Sequence, residues 1–293
     1  MRETAQHLSH LRAYSPMRVA FVQTAPRLGQ TRRNLEEAYG LIKRVREADL
    51  VVLPELFHSG YAVCDRNEAV SLAAWPDGSS EPVAMCLDAA RSFNAAIAAG
   101  FLERDEGGKL FNSAWLIDAS GVIARYRKVH LFDREWDVFE PGYDSCPISK
   151  VAGARVAMQV CFDWVFPEPW GRLAWGEGEG TGAQVIAHPA NLVLAQACPT
   201  AIRARAIENR VFIVTAGRVG TDPGPSGEIE FKAGSRIVAP DGSVLAAGPE
   251  DRTAAETVTI EPSWADDKYL TPRDHVLRER FGEQEEHLEE GEP

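Results

Sequence analysis

Apolar runs of strand length alternate with helical patterns along most of this chain, and that alternation restricts it to an α/β architecture. Residues 17–25 (MRVAFVQTA) form a short apolar run that is typical of a buried strand. Residues 31–48 then place their apolar side chains on one helical face, and residues 49–55 (DLVVLPE) return as a second strand. Because this order recurs, we predict an α/β fold with mixed sheets.

The same signals predict further elements as far as residue 260. Helices are predicted at 81–94, at about 167–175 and at 197–210. Strands are predicted at 95–101, 112–118, 122–129, 154–161, 183–189, 211–217, 234–240, 243–248 and 254–260. Turn residues between neighbouring strands predict a hairpin around the Ser-Gly at 120–121 and another around PDGS at 240–243.

No linker of Ser, Gly or Pro and no internal repeat divides the chain. We therefore predict one domain over residues 17–265, preceded by an N-terminal extension at 1–16. Residues 266–293 are predicted to form a C-terminal arm and an acidic tail. The Gly-rich stretch at 176–182 overlaps a loose GxGxxA pattern, but its glutamates would repel a pyrophosphate, so it is not interpreted as a dinucleotide-binding loop.

Charge and hydropathy narrow the range of partners. The formal net charge is -12, and residues 283–293 carry six glutamates without any Lys or Arg. This composition argues against nucleic acid and anionic membranes as partners. The first sixteen residues contain no apolar targeting segment, and no uncharged apolar stretch approaches twenty residues, so a cytoplasmic location is predicted.

The cysteines indicate a reducing environment. The chain has five of them, an odd number, and none is in CxxC spacing. That pattern argues against a disulfide framework and against a structural zinc site. Cys64, Cys86, Cys146 and Cys198 are interpreted as small buried residues, whereas Cys161 stands in a different context.

Three short segments carry the chemistry. They are LPELF around Glu55, RYRKVHLF around Lys128 and MQVCFDWVFPE around Cys161. Each places a usable side chain where an apolar strand enters a loop. A thiol, a carboxylate base and a cation are the groups that covalent catalysis at a carbonyl carbon needs, because the nucleophile must lose a proton and the oxyanion must be stabilised.

In order and local sequence, these segments resemble the Glu, Lys and Cys motifs of the nitrilase superfamily of carbon-nitrogen hydrolases. The resemblance implies an αββα sandwich of two mixed sheets flanked by helices. It also implies that Glu55 is the general base, that Cys161 is the nucleophile, and that Lys128 supports the oxyanion together with the Phe162 N–H. Arg125 and Arg127, beside the lysine, are expected to form structural salt links.

The resemblance extends to further residues around the site. Glu135 matches a second glutamate that binds near the lysine and the substrate, with Glu140 as the competing candidate. Phe162, Trp164 and Asn191 are predicted to contact the substrate. His130 is interpreted as a packed residue rather than as a base, and no metal or organic cofactor is required.

The predicted function is hydrolysis of a small neutral amide to a carboxylic acid and ammonia through a cysteine thioester. Asp163 resembles the residue that amidases and carbamoylases carry after the cysteine, and the segment lacks the arginine that binds acidic substrates in some relatives. A nitrilase and an N-carbamoyl amidohydrolase remain alternatives, and a non-catalytic oligomeric scaffold is an alternative of another class. A homodimer or larger even-numbered assembly is expected.

Overall fold

Two six-stranded mixed sheets form the centre of the fold. The structure, a computed structural model, describes residues 15–63, 65–194, 196–224 and 227–281. Its strands are β1 (Met17–Gln23), β2 (Leu50–Val52), β3 (Ala96–Arg104), β4 (Leu110–Asp118), β5 (Gly121–Arg127), β6 (Ser149–Val151), β7 (Ala154–Met158), β8 (Val185–Pro189), β9 (Phe212–Ala216), β10 (Val219–Gly224), β11 (Gly227–Lys232), β12 (Arg236–Val238), β13 (Val244–Ala247) and β14 (Ala254–Ile260).

The strand order is β14-β1-β2-β3-β4-β5 in the first sheet and β13-β12-β9-β8-β7-β6 in the second. A separate antiparallel ladder joins β10 to β11. In each six-stranded sheet three central strands are parallel, namely β1, β2 and β3 in the first and β7, β8 and β9 in the second. The two sheets pack face to face, chiefly through β1 against β9 and β3 against β8.

Helices cover the outer faces of both sheets. They are α1 (Thr31–Ile42), α2 (Arg66–Leu72), α3 (Glu81–Phe93), α4 (Pro167–Trp175), α5 (Ala197–Asn209) and α6 (Val276–Phe281). Helices α1 and α3 pack on the first sheet, and α5 packs on β9 and β12 of the second. The predicted αββα sandwich is therefore confirmed.

The side-chain alternation of β1 shows why the sequence forms these layers. Val19 and Phe21 belong to the core between the two sheets, whereas Ala20 and Val22 belong to the core beneath the helices. Successive side chains of a strand point to opposite faces of its sheet. Because both faces are covered, the strand is apolar throughout and shows no polar alternation.

Most predicted elements are present, with two kinds of difference. The helical pattern at 31–48 ends as an α-helix at Ile42 and continues as a 3₁₀ turn over Lys43–Val45. The β10–β11 hairpin was not predicted, because a Pro and several Gly make its sequence typical of a loop. Helices α2 and α6 were also not predicted. The predictions for Cys64, for residues 1–14 and for the acidic tail lie outside the described residues.

The stretch at 266–281, predicted to be an arm, lies against its own chain. Helix α6 packs on α4 and α5, and its Leu277 is buried. Packing within one chain does not test self-association, which stays a prediction. Among the described residues no helix is both long enough and apolar enough to cross a bilayer.

Candidate active site

The three predicted catalytic side chains come from the ends of three strands and meet between the sheets. Glu55 follows β2, Lys128 follows β5 and Cys161 follows β7. Glu55 and Lys128 are fully buried, and Cys161 is only 7% exposed. Because β2 and β7 are central parallel strands of facing sheets, their carboxyl ends can bring a carboxylate and a thiol to the same crevice.

Lys128 bridges two carboxylates. Its Nζ lies 2.8 Å from Glu55 Oε1 and 2.8 Å from Glu135 Oε1. Burial alone lowers the pKa of Lys128, but the charges of Glu135 and Glu55 outweigh it and raise the pKa above its ordinary value. A lysine ammonium has three N–H donors, so one remains after both bridges are formed. The cation thus has a donor left for a developing oxyanion.

Glu135 rather than Glu140 is the second glutamate at the lysine. The Tyr61 hydroxyl donates to Glu135 Oε1 at 2.8 Å, and the Phe132 N–H donates to Glu135 Oε2 at 3.1 Å. Glu140 is half-buried and lies along a groove beside β5, away from this cluster. Both oxygens of Glu135 are therefore held in place, which suits a positioning role.

The two carboxylate oxygens of Glu55 differ in their hydrogen bonding. Its Oε1 accepts from Lys128 and, at 2.8 Å, from Asn112 Nδ2. Its Oε2 is buried and has no hydrogen-bond partner among the described residues. Burial raises the pKa of Glu55, with the charge of Glu135 acting in the same direction and Lys128 opposing both. The open oxygen is therefore a better proton acceptor than that of a solvated glutamate.

Gly100 on β3 explains how the backbone of Glu55 fits between the strands. A Cβ at this position would lie 2.4 Å from the Glu55 Cα, closer than any side chain can approach. Only glycine fits here, because its missing side chain lets the backbones of Gly100 and Glu55 come together.

Cys161 stands on a backbone conformation that favours glycine. Its φ is 39°, in the left-handed region that non-glycine residues seldom occupy. Burial raises the pKa of the thiol well above its ordinary value, the charge of Glu55 acts in the same direction, and Lys128 opposes both. Such a thiol is protonated at neutral pH and would need a base to become a nucleophile.

Two residues of the second sheet hold Cys161. Its Sγ donates to the Asn191 carbonyl oxygen at 3.5 Å, and Asn191 Nδ2 donates to the Glu55 carbonyl oxygen at 2.8 Å. His188 Nε2 lies 3.0 Å from the Cys161 carbonyl oxygen, and its Nδ1 lies 3.1 Å from Thr215 Oγ1. Since a carbonyl only accepts, His188 carries its proton on Nε2 and accepts from the threonine hydroxyl.

Asp163 supports the loop after the cysteine and is fully buried. It accepts from the Tyr126 hydroxyl at 2.9 Å and from the Val160 N–H at 3.0 Å, and its Oδ1 lies 2.7 Å from His130 Nδ1. Its carboxylate is therefore engaged in holding the loop and does not reach a substrate by direct contact. The packed role expected for His130 agrees with this bond and with its stacking on Phe166 at 3.8 Å.

The three residues predicted to contact the substrate differ in what they touch. Asn191 reaches both Glu55 and Cys161. Phe162 packs against Phe132, with ring centroids 4.9 Å apart, and Trp164 packs against the core. A cavity of about 220 Å³ opens beside Glu135, and neither Phe162 nor Trp164 is among the described residues that line it.

The arginines beside Lys128 form the expected salt links. Arg127 lies 2.5 Å from Glu103, and Arg125 lies 3.9 Å from the same carboxylate. Their shared partner, Glu103, is not one of the two carboxylates that bond to Lys128.

Sequence reasoning missed three residues of the site. They are Asn112, Tyr61 and His188, which contact Glu55, Glu135 and Cys161 respectively. Asn112 and His188 lie within strands and Tyr61 lies in the loop after β2, and each looks like an ordinary polar residue in the sequence. Only the pairing of the strands shows what each one touches.

Comparison with known proteins identifies the family of this chain. The family model described as carbon-nitrogen hydrolase matches residues 18–267. This chain belongs to the carbon-nitrogen hydrolase family. A protein of this family from Pyrococcus abyssi, named nitrilase, is 38% identical over 90% of this chain and 97% of its own.

Two further relatives of this carbon-nitrogen hydrolase are amidases. An (R)-stereoselective amidase from Pseudomonas sp is 32% identical over 92% of this chain and 95% of its own. The solved structure of a Glu-to-Gln mutant of the Nesterenkonia sp. AN1 amidase has a TM-score of 0.71 and 26% identity, covering 88% of this chain and 95% of that one. It shows covalent addition of the acetamide moiety of fluoroacetamide at its active-site cysteine.

Proposed function

We propose that this carbon-nitrogen hydrolase cleaves a small neutral amide to a carboxylic acid and ammonia through a thioester on Cys161. The observation that carries the proposal is the buried, unpartnered Glu55 Oε2 in a site where Lys128 occupies the other oxygen. A buried acceptor without a donor is costly unless the reaction supplies the donor. The thiol proton of Cys161, which the resting thiol donates to the Asn191 carbonyl oxygen, is the donor we assign to Glu55 Oε2 as the sulfur attacks.

The proposed first half of the reaction forms the thioester. Glu55 Oε2 takes the thiol proton as the sulfur attacks the amide carbon, and the carbonyl electrons move to oxygen. The third N–H of Lys128 and the Phe162 N–H donate to that oxyanion. Protonated Glu55 then gives its proton to the leaving nitrogen, the C–N bond breaks, and ammonia leaves.

The second half of the proposed reaction hydrolyses the thioester and restores the free thiol. Water attacks the thioester carbon while Glu55 takes one of its protons, and the same two donors stabilise the second oxyanion. The C–S bond breaks, the carboxylic acid leaves, and the proton on Glu55 returns to sulfur. Glu135 holds Lys128 throughout, because its Oε1 lies 2.8 Å from the lysine Nζ.

The comparisons support the amide route and keep a second candidate in view. The stereoselective amidase relative and the acetamide adduct on the Nesterenkonia cysteine favour amides. The Pyrococcus relative named nitrilase favours a nitrile, which would give a thioimidate that water must hydrate first. An N-carbamoyl substrate would use the same three groups.

Ammonia release from propionamide and from propionitrile distinguishes these routes. We expect kcat/KM for the amide to exceed that for the nitrile by at least about tenfold, or about 1.4 kcal/mol of barrier. Equal or faster turnover of the nitrile would overturn the amide assignment and leave the Glu55, Lys128 and Cys161 site standing. Alkylation of Cys161 by iodoacetamide without turnover of any amide, nitrile or carbamoyl compound would favour the non-catalytic scaffold.

A further inference from the structure

The cavity beside Glu135 is large for the acyl group of a propionamide. Its volume is about 220 Å³. Since an apolar cavity of about 150 Å³ can bind benzene, this cavity has room for a six-membered ring or a branched chain of similar size. A two- or three-carbon acyl group would leave much of this space unfilled.

Apolar side chains make up most of the cavity wall. They are Val63, Phe132, Phe139, Val193, Pro223 and Ile229. Small-molecule sites bind an apolar group by removing such surfaces from water, with a few polar groups fixing its orientation. Glu135 and Tyr61 supply those polar groups here, since both line the cavity and are joined by a hydrogen bond of 2.8 Å.

The charges around the cavity disfavour an acidic substrate. Arg134 is the one cation among the described lining residues, and it lies 3.2 Å from Asp137. Asp133 and Glu135 also line the cavity, so acidic groups outnumber basic ones. A substrate carboxylate entering it would meet net negative charge without a free cation to bind it.

Glu135 lies between the cavity and Lys128. One face of this side chain lines the cavity, and its Oε1 lies 2.8 Å from Lys128 Nζ. Burial raises the pKa of Tyr61, and the charges of Glu135 and Glu55 add to this increase, so the tyrosine lies near both carboxylates. An acyl group in the cavity would therefore extend from a carbonyl held at Lys128.

A buried ion pair braces one wall of the cavity against another. Asp222 Oδ2 accepts from the Tyr61 N–H at 3.0 Å and from the Ala62 N–H at 3.2 Å. Arg218 Nη1 lies 2.6 Å from the same oxygen, and its guanidinium lies 4.2 Å from the Phe231 ring centroid. The pair joins the loop that carries Tyr61 to the β10–β11 hairpin, which supplies Pro223 and Ile229.

From these observations we propose that the substrate carries a branched aliphatic or aromatic acyl group of about five to seven carbons, selected by the β10–β11 hairpin. The proposal rests on the proposed amide hydrolysis. It identifies Ile229 as the residue whose side chain decides between an apolar and a charged acyl group. The ion pair of Asp222 and Arg218 fixes the hairpin against the loop that carries Tyr61.

A substrate series tests the acyl class. We expect kcat/KM for isovaleramide and for benzamide to exceed that for acetamide by at least about tenfold and that for succinamic acid by at least about a hundredfold. Equal turnover of succinamic acid and isovaleramide overturns the proposed acyl class. Running the matching nitriles alongside keeps the acyl preference measurable whichever bond is cleaved.

An introduced cation tests the hairpin. We expect Ile229→Arg to raise the ratio of succinamic acid to isovaleramide turnover by at least about tenfold, because the guanidinium would pair with the substrate carboxylate. Ile207→Arg is the matched control, since Ile207 is 38% exposed on α5 and does not line the cavity. The same ratio in both variants overturns the role of Ile229.

A binding measurement separates this inference from the proposed function. Isovaleramide should protect Cys161 from alkylation by iodoacetamide at concentrations where succinamic acid does not. Such protection, with no turnover of any amide or nitrile, would support the apolar acyl site and overturn the proposed hydrolysis. Equal protection by the two compounds overturns the acyl site whatever the turnover.

Discussion

The side-chain amide of Asn191 donates to the backbone carbonyl of Glu55, 2.8 Å away, across the interface between the two sheets. The backbone carbonyl of Asn191 accepts from Cys161 Sγ at 3.5 Å. One residue thus touches both the predicted base and the predicted nucleophile. Since Glu55 follows β2 of the first sheet and Cys161 follows β7 of the second, Asn191 fixes the distance between two parts of the site that otherwise belong to different layers.

Asn191→Ala should lower kcat by about a hundredfold and change KM by less than about threefold, because a displacement near 1 Å between base and nucleophile is enough for such a loss. Asn209→Ala is the control. Asn209 is also fully buried, but its amide donates to the Arg205 carbonyl on α5. Both variants should lose about 1–3 kcal/mol of unfolding free energy. An equal loss of kcat in both would assign Asn191 to stability alone.

Cys161→Ala should abolish ammonia release and leave the fold intact, because the thiol supplies the covalent step and little core volume. Cys146→Ala is the comparison, since Cys146 is buried and burial raises the pKa of its thiol to about 12. Unlike Cys161, which is acted on by the charges of Glu55 and Lys128, Cys146 hydrogen-bonds only to the Pro147 carbonyl and the Met158 N–H among the described residues, so it has no base to activate it. Retention of more than a few per cent of the wild-type rate in Cys161→Ala, or abolition in folded Cys146→Ala, would identify a different nucleophile.

Lys128→Arg should lower kcat/KM by at least about a thousandfold although the charge is kept. The ammonium fits between two carboxylate oxygens, each 2.8 Å away, in a fully buried position. A planar guanidinium is larger and cannot present the same compact charge there. Lys109→Arg, at an exposed position, should leave kcat/KM unchanged. Activity within about tenfold of wild type in Lys128→Arg would argue against a point-charge role.

The alternation of apolar strands and helical patterns predicted only the α/β class, and the resemblance to the nitrilase superfamily supplied the two-sheet sandwich. Strands that are apolar on both faces fit those layers, as β1 does with Val19 and Phe21 between the sheets and Ala20 and Val22 beneath the helices. The sequence also predicted which segments end at the site, since a functional side chain after an apolar strand is a local feature. The roles of Glu55, Lys128 and Cys161 stay predictions that the proposed experiments address.

What the sequence did not predict depends on pairing between distant strands. Asn112 lies in β4, yet it contacts Glu55 only because β3 and β4 are neighbours in the sheet. The β10–β11 hairpin contains Pro223 and Gly224, residues typical of a loop, and its Asp222 accepts from the Tyr61 N–H, 161 positions away in the chain. Long-range pairs of this kind leave no periodic signal in the chain.

The acid limb of the activity profile should report Glu55. Its pKa is raised chiefly by burial, so kcat/KM should fall as pH drops through a value above the ordinary glutamate pKa of about 4.3. Asn112→Leu removes a hydrogen bond to the carboxylate form and should move the acid limb to higher pH. Profiles of kcat/KM between pH 4 and pH 8 locate the acid limb of the wild type and that of Asn112→Leu. A limb at the same or lower pH in Asn112→Leu would show that Glu55 is not the group observed.

His58 should make the fold less stable as pH falls. Its Nε2 accepts from the Leu102 N–H at 3.2 Å, a bond that only the neutral ring can accept, and burial lowers its pKa from 6.5 to about 3. Between pH 7 and pH 5 the unfolded chain therefore takes up the proton while the folded protein does not, so the unfolding free energy should fall by about 2 kcal/mol from this residue alone. In His58→Gln the amide oxygen can still accept from Leu102 without titrating. Urea unfolding at the two pH values should then show a difference smaller by about 2 kcal/mol in the variant, and an unchanged difference would assign the acid sensitivity to other groups.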